Sequence, residues 1–226
     1  MAKKIKNKLI KVEFSKNEKL LADHLLEIGA FKFGEFKLKL HKEFPKAPLS
    51  PAYIDLRLLR RYPRAKKVAI DVYQELIKGV KFDLIADVPT AGSPFASSLS
   101  DRLMIGVVTP RIDKKDHGSG AHIDGLGPRD KGKTVLLVDD LITTSTSKLE
   151  AANFFKAHGM KVKDVVVLID REQGGFEQLK KNKIKLHFSL TLDRLLDYYL
   201  SINKISQDKY DEIHQKLKEL KEYTKK

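Results

Sequence analysis

The alternation of apolar and polar positions divides the chain into predicted strands and helices. Short apolar runs recur at 82–88, 105–109, 135–138, 162–170 and 184–190, and most of them are separated by segments with helical spacing. This rhythm predicts an α/β fold, a parallel sheet flanked by helices. Ligands of such sheets bind at the carboxyl ends of the strands, so functional residues are expected directly after each run.

The two ends of the chain have different patterns. Residues 17–29 and 62–79 have helical spacing, whereas 33–40 and 52–56 alternate like a pair of strands. Residues 192–202 and 207–223 predict two closing helices. We expect a single domain over 1–226. It would comprise an N-terminal helix with a small hood (17–60), an α/β core (82–190) and a helical C-terminal extension (191–226).

Composition narrows the class of protein. A chain of 226 residues is long enough for one well-buried α/β domain with an appendage. Cysteine is absent, which excludes disulfides and thiolate metal sites. No stretch approaches the ~20 apolar residues of a membrane helix. The basic N-terminus lacks the apolar core of a signal peptide, and we therefore expect a cytoplasmic protein.

The formal net charge of +14 raises the question of nucleic-acid binding. The lysines are clustered mainly at the two termini, and those of the C-terminal helix alternate with acidic residues. A mixed-charge helix face is usually solvated surface. We therefore do not expect nucleic acid to be a partner.

The most informative stretch is 134–148. An apolar run ends abruptly at Asp139 and Asp140, five hydroxyl residues follow at 143–147, and a helix then runs to Gly159. Backbone N–H groups, the helix dipole and hydroxyls converge at such a helix start and bind phosphate. A Walker-type loop is disfavoured, because the segment has no glycine and only Lys148 follows it. Paired carboxylates beside a phosphate loop suit a sugar phosphate; the alternative is an Asp-Asp turn in an ordinary βα unit.

Four segments carry a resemblance to a known family. VLLVDDLITTSTS resembles the phosphoribosyl-pyrophosphate (PRPP) motif of type I phosphoribosyltransferases. VPTAG followed by proline (88–92), RIDKKDHGSGAHIDG (111–125) and DREQGG (170–175) resemble the pyrophosphate loop, the catalytic loop and the base-binding segment of orotate phosphoribosyltransferases. The resemblance covers about 20–175 and implies the type I fold.

The resemblance also implies roles for individual residues. Asp139 and Asp140 would hold the ribose hydroxyls, and a basic lid within 110–133 would serve the neighbouring subunit of a homodimer. The lid residues are Arg111, Lys115 and His117. Pyrophosphate would lie against Thr90, Ala91 and Gly92, the 5-phosphate against Thr143, Thr144, Ser145, Thr146 and Ser147, and orotate against Lys39, Tyr53, Thr143 and Arg171. Mg²⁺ would bind mainly through PRPP oxygens and water rather than through direct protein ligands.

Three positions depart from the family pattern. Ser145 stands where the PRPP loop usually has glycine, Asp87 where glycine often precedes VPTAG, and Ile112 where many catalytic loops carry a second basic residue. Three alternatives remain open: a phosphoribosyltransferase for another nucleobase, a PRPP-sensing regulator that binds nucleic acid, and an Arg171 that merely pairs with the acids beside it.

Overall fold

The computed structural model describes residues 13–111 and 123–223, apart from the side chain of Lys39. The strands are β1 Phe31–Phe36, β2 Ser50–Ile54, β3 Leu84–Asp87, β4 Val107–Pro110, β5 Ile123–Asp124, β6 Thr134–Val138, β7 Leu141–Ile142, β8 Lys161–Asp170 and β9 Lys185–Thr191. The α-helices are α1 Lys16–Glu27, α2 Pro63–Leu76, α3 Ser93–Leu103, α4 Thr146–Ala157, α5 Gly175–Lys181, α6 Leu192–Ser201 and α7 Gln207–Tyr223. Short 3-10 helices span Lys39–Lys42 and Leu56–Arg61.

The core is a mostly parallel sheet, as the sequence predicts. Strands β4, β3, β6, β8 and β9 lie side by side in that order and are all parallel. The short β7 runs parallel to the end of β8, on the side where β6 pairs, and β5 adds antiparallel to β4. The fold class is thereby confirmed.

Alternate residues of the central strands face two separate hydrophobic layers. In β6, Leu136 and Val138 pack with α2, α3 and the N-terminal part of the chain, whereas Val135 and Leu137 pack with α4 and α5. Both faces are fully buried. This double burial explains why the strand is a continuous apolar run rather than an alternating one.

Strands β1 and β2 pair antiparallel and form the hood. Helix α7 packs against it: Ile213 is fully buried, the rings of Phe44 and Tyr223 lie 6.3 Å apart, and Lys216 Nζ is 3.2 Å from Glu35 Oε1. Within the described parts of the chain, no helix has the length and apolar character needed to cross a membrane.

The predicted strand over 33–40 is wrong beyond Phe36. The chain turns instead into the 3-10 helix at Lys39–Lys42, because the His41 ring bonds to the backbone on both sides of it. Its Nδ1 is 2.9 Å from the Leu38 nitrogen and its Nε2 is 3.1 Å from the Pro48 carbonyl. Helix α5 was not predicted, because a seven-residue helix gives little periodic signal.

Candidate active site

The segments singled out in the sequence meet at one edge of the sheet. Strands β3, β6 and β8 end there, and Asp87 lies in register with Val138. Backbone hydrogen bonds join the following loops: Val88 N to Val138 O at 3.0 Å, Arg171 N to Ile142 O at 2.9 Å. The carboxyl edge of the sheet therefore brings 87–94, 139–147 and 170–175 together.

The two adjacent acids have different surroundings. Asp139 is 4% exposed, and its Oδ2 lies 2.6 Å from Nζ of the equally buried Lys148. Its Oδ1 accepts a hydrogen bond from the Asp140 N–H at 2.9 Å, and its carbonyl accepts one from the Tyr73 hydroxyl at 2.6 Å. Asp140 is only half-buried, and its Oδ1 accepts the Leu141 N–H at 2.7 Å.

Burial and the charge of Asp139 raise the pKa of Asp140 to about 7. The Leu141 N–H and the Lys148 cation act in the opposite direction. Asp140 is thus poised to change its ionisation near neutral pH, a property that often marks functional carboxylates.

The phosphate loop, residues 143–147, leads directly into α4. Thr144, Thr146 and Ser147 are exposed, Thr143 is half-buried, and no side chain caps the helix at Ser145. The first N–H groups of a helix have no partner within the helix. Exposed hydroxyls and uncapped N–H groups at one helix start are suited to an anion.

Ser145 faces away from this anion position. It is fully buried, and both its N–H and its hydroxyl donate to Oε1 of Gln178 in α5, at 2.9 and 2.8 Å. Its φ of −94° is ordinary for any residue, so serine fits this position without the conformational freedom of glycine. The side chain anchors the loop.

The loop 88–92 crosses closely over the end of β6. A Cβ on Gly92 would lie 2.3 Å from the Val138 carbonyl, so only glycine fits there. Thr90 is exposed, Ala91 is half-buried, and the Pro89–Thr90 peptide bond is cis.

Two side chains outside the loop fix its shape. The buried Asp87 accepts a hydrogen bond from the hydroxyl of Ser93, the first residue of α3. Arg60 donates to the carbonyl of Thr90. The aspartate that replaces glycine thus ties the start of the loop to the helix.

Arg171 is a buried cation that pairs with no anion among the described residues. It is 7% exposed, its Nε has no hydrogen-bond partner, and its Nη2 lies 3.5 Å from Ser50 Oγ. The acids beside it are engaged elsewhere: Asp170 accepts from the Glu172 N–H at 2.8 Å and Glu172 accepts from the Asp193 N–H at 3.4 Å. Within 13–111 and 123–223, Arg171 forms no ion pair, and burial lowers its pKa.

Tyr53 of the hood lies close enough to Arg171 to interact with its charge. Its hydroxyl accepts from Nη2 of Arg57 at 3.3 Å, and its ring packs 5.5 Å from that of Phe36. Lys39 belongs to the 3-10 helix Lys39–Lys42, and its side chain lies outside the described residues.

The lid is described only at its base. The pairing of β4 with β5 brings Arg111 Nε to 2.7 Å from Asp124 Oδ1, and that pair raises the pKa of the arginine. Lys115, His117 and Ile112 lie outside the described residues. Among the residues that are described, no cluster of three or more His, Asp or Glu side chains could hold a metal ion.

Several residues of the site were missed by the sequence reasoning. They are Arg57, Arg60, Tyr73 and Gln178, together with the part that Lys148 plays beside Asp139. The basic run RLLRR at 57–61, next to the hood, could have indicated Arg57 and Arg60. Cationic residues beside a base-binding segment suit an anionic substrate. The others act through contacts between distant parts of the chain, which local patterns do not reveal.

Known proteins resemble this chain over most of its length. The family model described as "Phosphoribosyl transferase domain" matches residues 57–190. An orotate phosphoribosyltransferase of Caenorhabditis elegans is 31% identical over 84% of this chain and 82% of its own length, and one of Pyrobaculum islandicum is 36% identical over 79% and 91%. The crystal structure of orotate phosphoribosyltransferase from Aeropyrum pernix superposes with a TM-score of 0.70 at 29% identity, covering 82% of this chain and 99% of that one.

Proposed function

The chain belongs to the phosphoribosyltransferase family and within it to the orotate phosphoribosyltransferases, and from this premise we propose how its residues divide the work. The reaction converts orotate and PRPP into orotidine 5'-monophosphate and pyrophosphate, in pyrimidine biosynthesis. Bond breaking at C1 of the ribose leaves positive charge on the sugar. Catalysis therefore depends mainly on positioning and on the stabilisation of charge.

The 5-phosphate binds at the start of α4. Uncapped N–H groups and the exposed hydroxyls of Thr144, Thr146 and Ser147 support this role. Gln178 and the buried Ser145 keep the loop in place without touching the phosphate. The pyrophosphate lies over the loop 88–92, which Gly92 allows to approach the end of β6.

The ribose lies over Asp140. Its half-buried carboxylate is the more accessible of the two acids, whereas both oxygens of Asp139 are already engaged. An ionised Asp140 accepts hydrogen bonds from ribose hydroxyls and stabilises the positive charge that develops on the sugar. Asp139 does not contact the ribose. It adds negative charge beside the site, and its Oδ1 accepts the Asp140 N–H, which helps to hold Asp140 in place.

The choice of orotate as the base rests on Arg171, whose guanidinium has no ion-pair partner in the part of the chain that the structure describes. A buried cation is costly unless an anion pairs with it, and the carboxylate that distinguishes orotate from uracil is such an anion. Ser50 and Tyr53 lie on the hood side of this position. Arg171 therefore binds the orotate carboxylate, with Tyr53 against the ring and Lys39 as a second cation.

The lid neutralises the leaving pyrophosphate with Arg111, Lys115 and His117, and it does so for the site of a second subunit in a cytosolic homodimer. The family resemblance of this loop supports the proposal. Arg111 would exchange its exposed partner Asp124 for pyrophosphate, and an exposed ion pair contributes little enough to be replaced.

Mg²⁺ would be bound together with PRPP. Asp139 is already engaged by Lys148 and by the Asp140 N–H, so Asp140 is the accessible carboxylate here, and PRPP oxygens and water would supply most of the ligands of the cation. When bound, Mg²⁺ offsets the charge of the pyrophosphate. The groups of the chain itself orient the ribose, the 5-phosphate and the base.

The test is a comparison of bases. Purified protein with PRPP and Mg²⁺ is supplied in parallel with orotate, uracil, adenine or hypoxanthine, and nucleotide formation is followed by absorbance and chromatography. We expect turnover with orotate and at most a trace with the others. Turnover of a purine or of uracil at a comparable rate would favour a phosphoribosyltransferase for another nucleobase. PRPP binding without turnover of any base, together with tight nucleic-acid binding, would favour a regulator.

A further inference from the structure

Lys148 is a buried lysine in the first turn of α4, directly behind the acid pair. Its side chain is 6% exposed, and Nζ lies 2.6 Å from Asp139 Oδ2 and 2.6 Å from the carbonyl of Leu141. Lysine is almost never buried to this degree unless it is paired. Nζ is engaged by Asp139, directly after β6, and by Leu141 of β7, so this lysine is not one of the groups facing the phosphate loop.

The pairing leaves the two acids in unequal positions. Lys148 forms an ion pair with Oδ2 of Asp139, and the Asp140 N–H donates to its Oδ1. The Tyr73 hydroxyl donates to the Asp139 carbonyl at 2.6 Å. Asp139 is therefore locked facing inward. Its backbone in turn fixes the position of Asp140, which remains half-buried at the open edge of the sheet.

Lys148 also acts on the charge of the pair. The described groups that interact with Asp140 are Asp139, Lys148 from α4, Tyr73 from α2 and Arg57 from the 3-10 helix. Burial raises the pKa of Tyr73 well above its usual value, so the tyrosine is neutral. Arg57 is exposed and engaged with Asp55 at 2.7 Å. Lys148 is thus the buried, unscreened cation of this group.

We propose that Lys148 is a positioning residue that holds Asp139 inward, keeps Asp140 directed towards the ribose of PRPP and places a buried positive charge beside the two carboxylates. The inference rests on the role of Asp140 proposed above. Two adjacent carboxylates are coupled, and without a nearby cation such a pair retains one proton to higher pH. A pair that retains a proton stabilises the developing charge on the sugar less well.

The test measures kcat/KM for PRPP from pH 5.5 to 9.5 in the wild type, in Lys148→Met and in Lys148→Arg. In the wild type, activity should fall as the pH drops through about 7, because the pKa of Asp140 is raised and protonation removes its charge. Lys148 lowers the pKa of Asp140, so removal of this cation should raise that pKa further and move the acid limb up by about 1 unit in Lys148→Met. At pH 7, where the wild type is already about half protonated, a shift of about 1 unit corresponds to a loss of roughly five- to sixfold, which should recover towards pH 9. Lys148→Arg should restore the wild-type profile.

Two further variants keep the test decisive. If Lys148→Met does not fold, Lys148→Gln takes its place, because it removes the charge and keeps a hydrogen-bond donor for Asp139, and its acid limb should also move up. Gln178→Ala loosens the phosphate loop without changing charge and should leave the acid limb in place. A Lys148→Met profile with the wild-type acid limb would overturn the inference.

Asp140→Asn separates this inference from the proposed site. It should be inactive at every pH, and activity in that variant would remove Asp140 from the ribose. An inactive Asp140→Asn together with an unshifted Lys148→Met would overturn the role of Lys148 alone.

Discussion

Replacement of Arg171 by methionine tests the choice of base most sharply. Methionine keeps most of the length and apolar volume of the arginine but removes its charge. The structure shows no anion paired with this cation among the described residues, and its one hydrogen bond, to Ser50 Oγ at 3.5 Å, is long. The free protein should therefore lose little stability, and the melting temperature should stay the same or rise.

Orotate should respond very differently. The loss of a buried partner of a charged group costs about 2–5 kcal/mol, which is roughly a 30- to 5,000-fold fall in kcat/KM for orotate. The KM for PRPP should change much less, because the phosphates and the ribose bind at the ends of β3 and β6. Preference for orotate over uracil should fall by the same factor.

The assay follows the loss of orotate absorbance at saturating PRPP, together with thermal unfolding of each variant. Arg194→Met is the matched control, because Arg194 is paired: its Nη1 lies 3.2 Å from Glu18 Oε1 and 2.8 Å from the Ser189 carbonyl. That variant should melt earlier with normal orotate kinetics. An Arg171→Met protein with a lower melting temperature and an unchanged kcat/KM for orotate would refute the role of Arg171 in binding orotate.

Three other predictions concern PRPP and the lid. Gly92→Ala should lower PRPP affinity more than tenfold, because the added Cβ would lie 2.3 Å from the Val138 carbonyl and displace the loop. Calorimetric titration with PRPP measures this affinity, and a normal value would contradict the prediction. Gln178→Ala should raise the KM for PRPP about tenfold and leave the KM for orotate unchanged. The buried Ser145 loses the acceptor of its two hydrogen bonds, at a cost of about 1–3 kcal/mol. An equal change in both KM values would indicate global damage. Equal amounts of inactive Lys115→Ala and Asp140→Asn chains should recover roughly a quarter of wild-type activity after subunit exchange, because half of the dimers then contain one complete site. No recovery after verified exchange would mean that each lid serves its own site.

The local pattern of the sequence was enough to predict the frame of the site. Runs such as 135–138 are apolar throughout because both faces of the strand are buried, and the carboxyl ends of parallel strands share one edge. The position of Asp139 and Asp140 at that edge follows from these two facts.

The orientation of side chains within that frame was beyond local patterns. Ser145 reads as one of five equivalent hydroxyls, but its acceptor lies 33 positions away in a helix too short to predict. Lys148 reads as a helix-surface lysine, and only the packing of α4 under β6 and β7 turns it towards Asp139. Contacts across the fold decide which of several similar residues meets the substrate.

In the proposed reaction, one site joins orotate to the ribose phosphate of PRPP, with Asp140 at the ribose. Orotate consumption and pyrophosphate release, measured together for the wild type and for Asp140→Asn, test it most directly. We expect equal amounts of the two in the wild type and no pyrophosphate release without orotate. Both should be lost in Asp140→Asn, whose circular dichroism and melting temperature should be normal. Pyrophosphate release that is independent of orotate, or a folded Asp140→Asn protein with wild-type turnover, would contradict it.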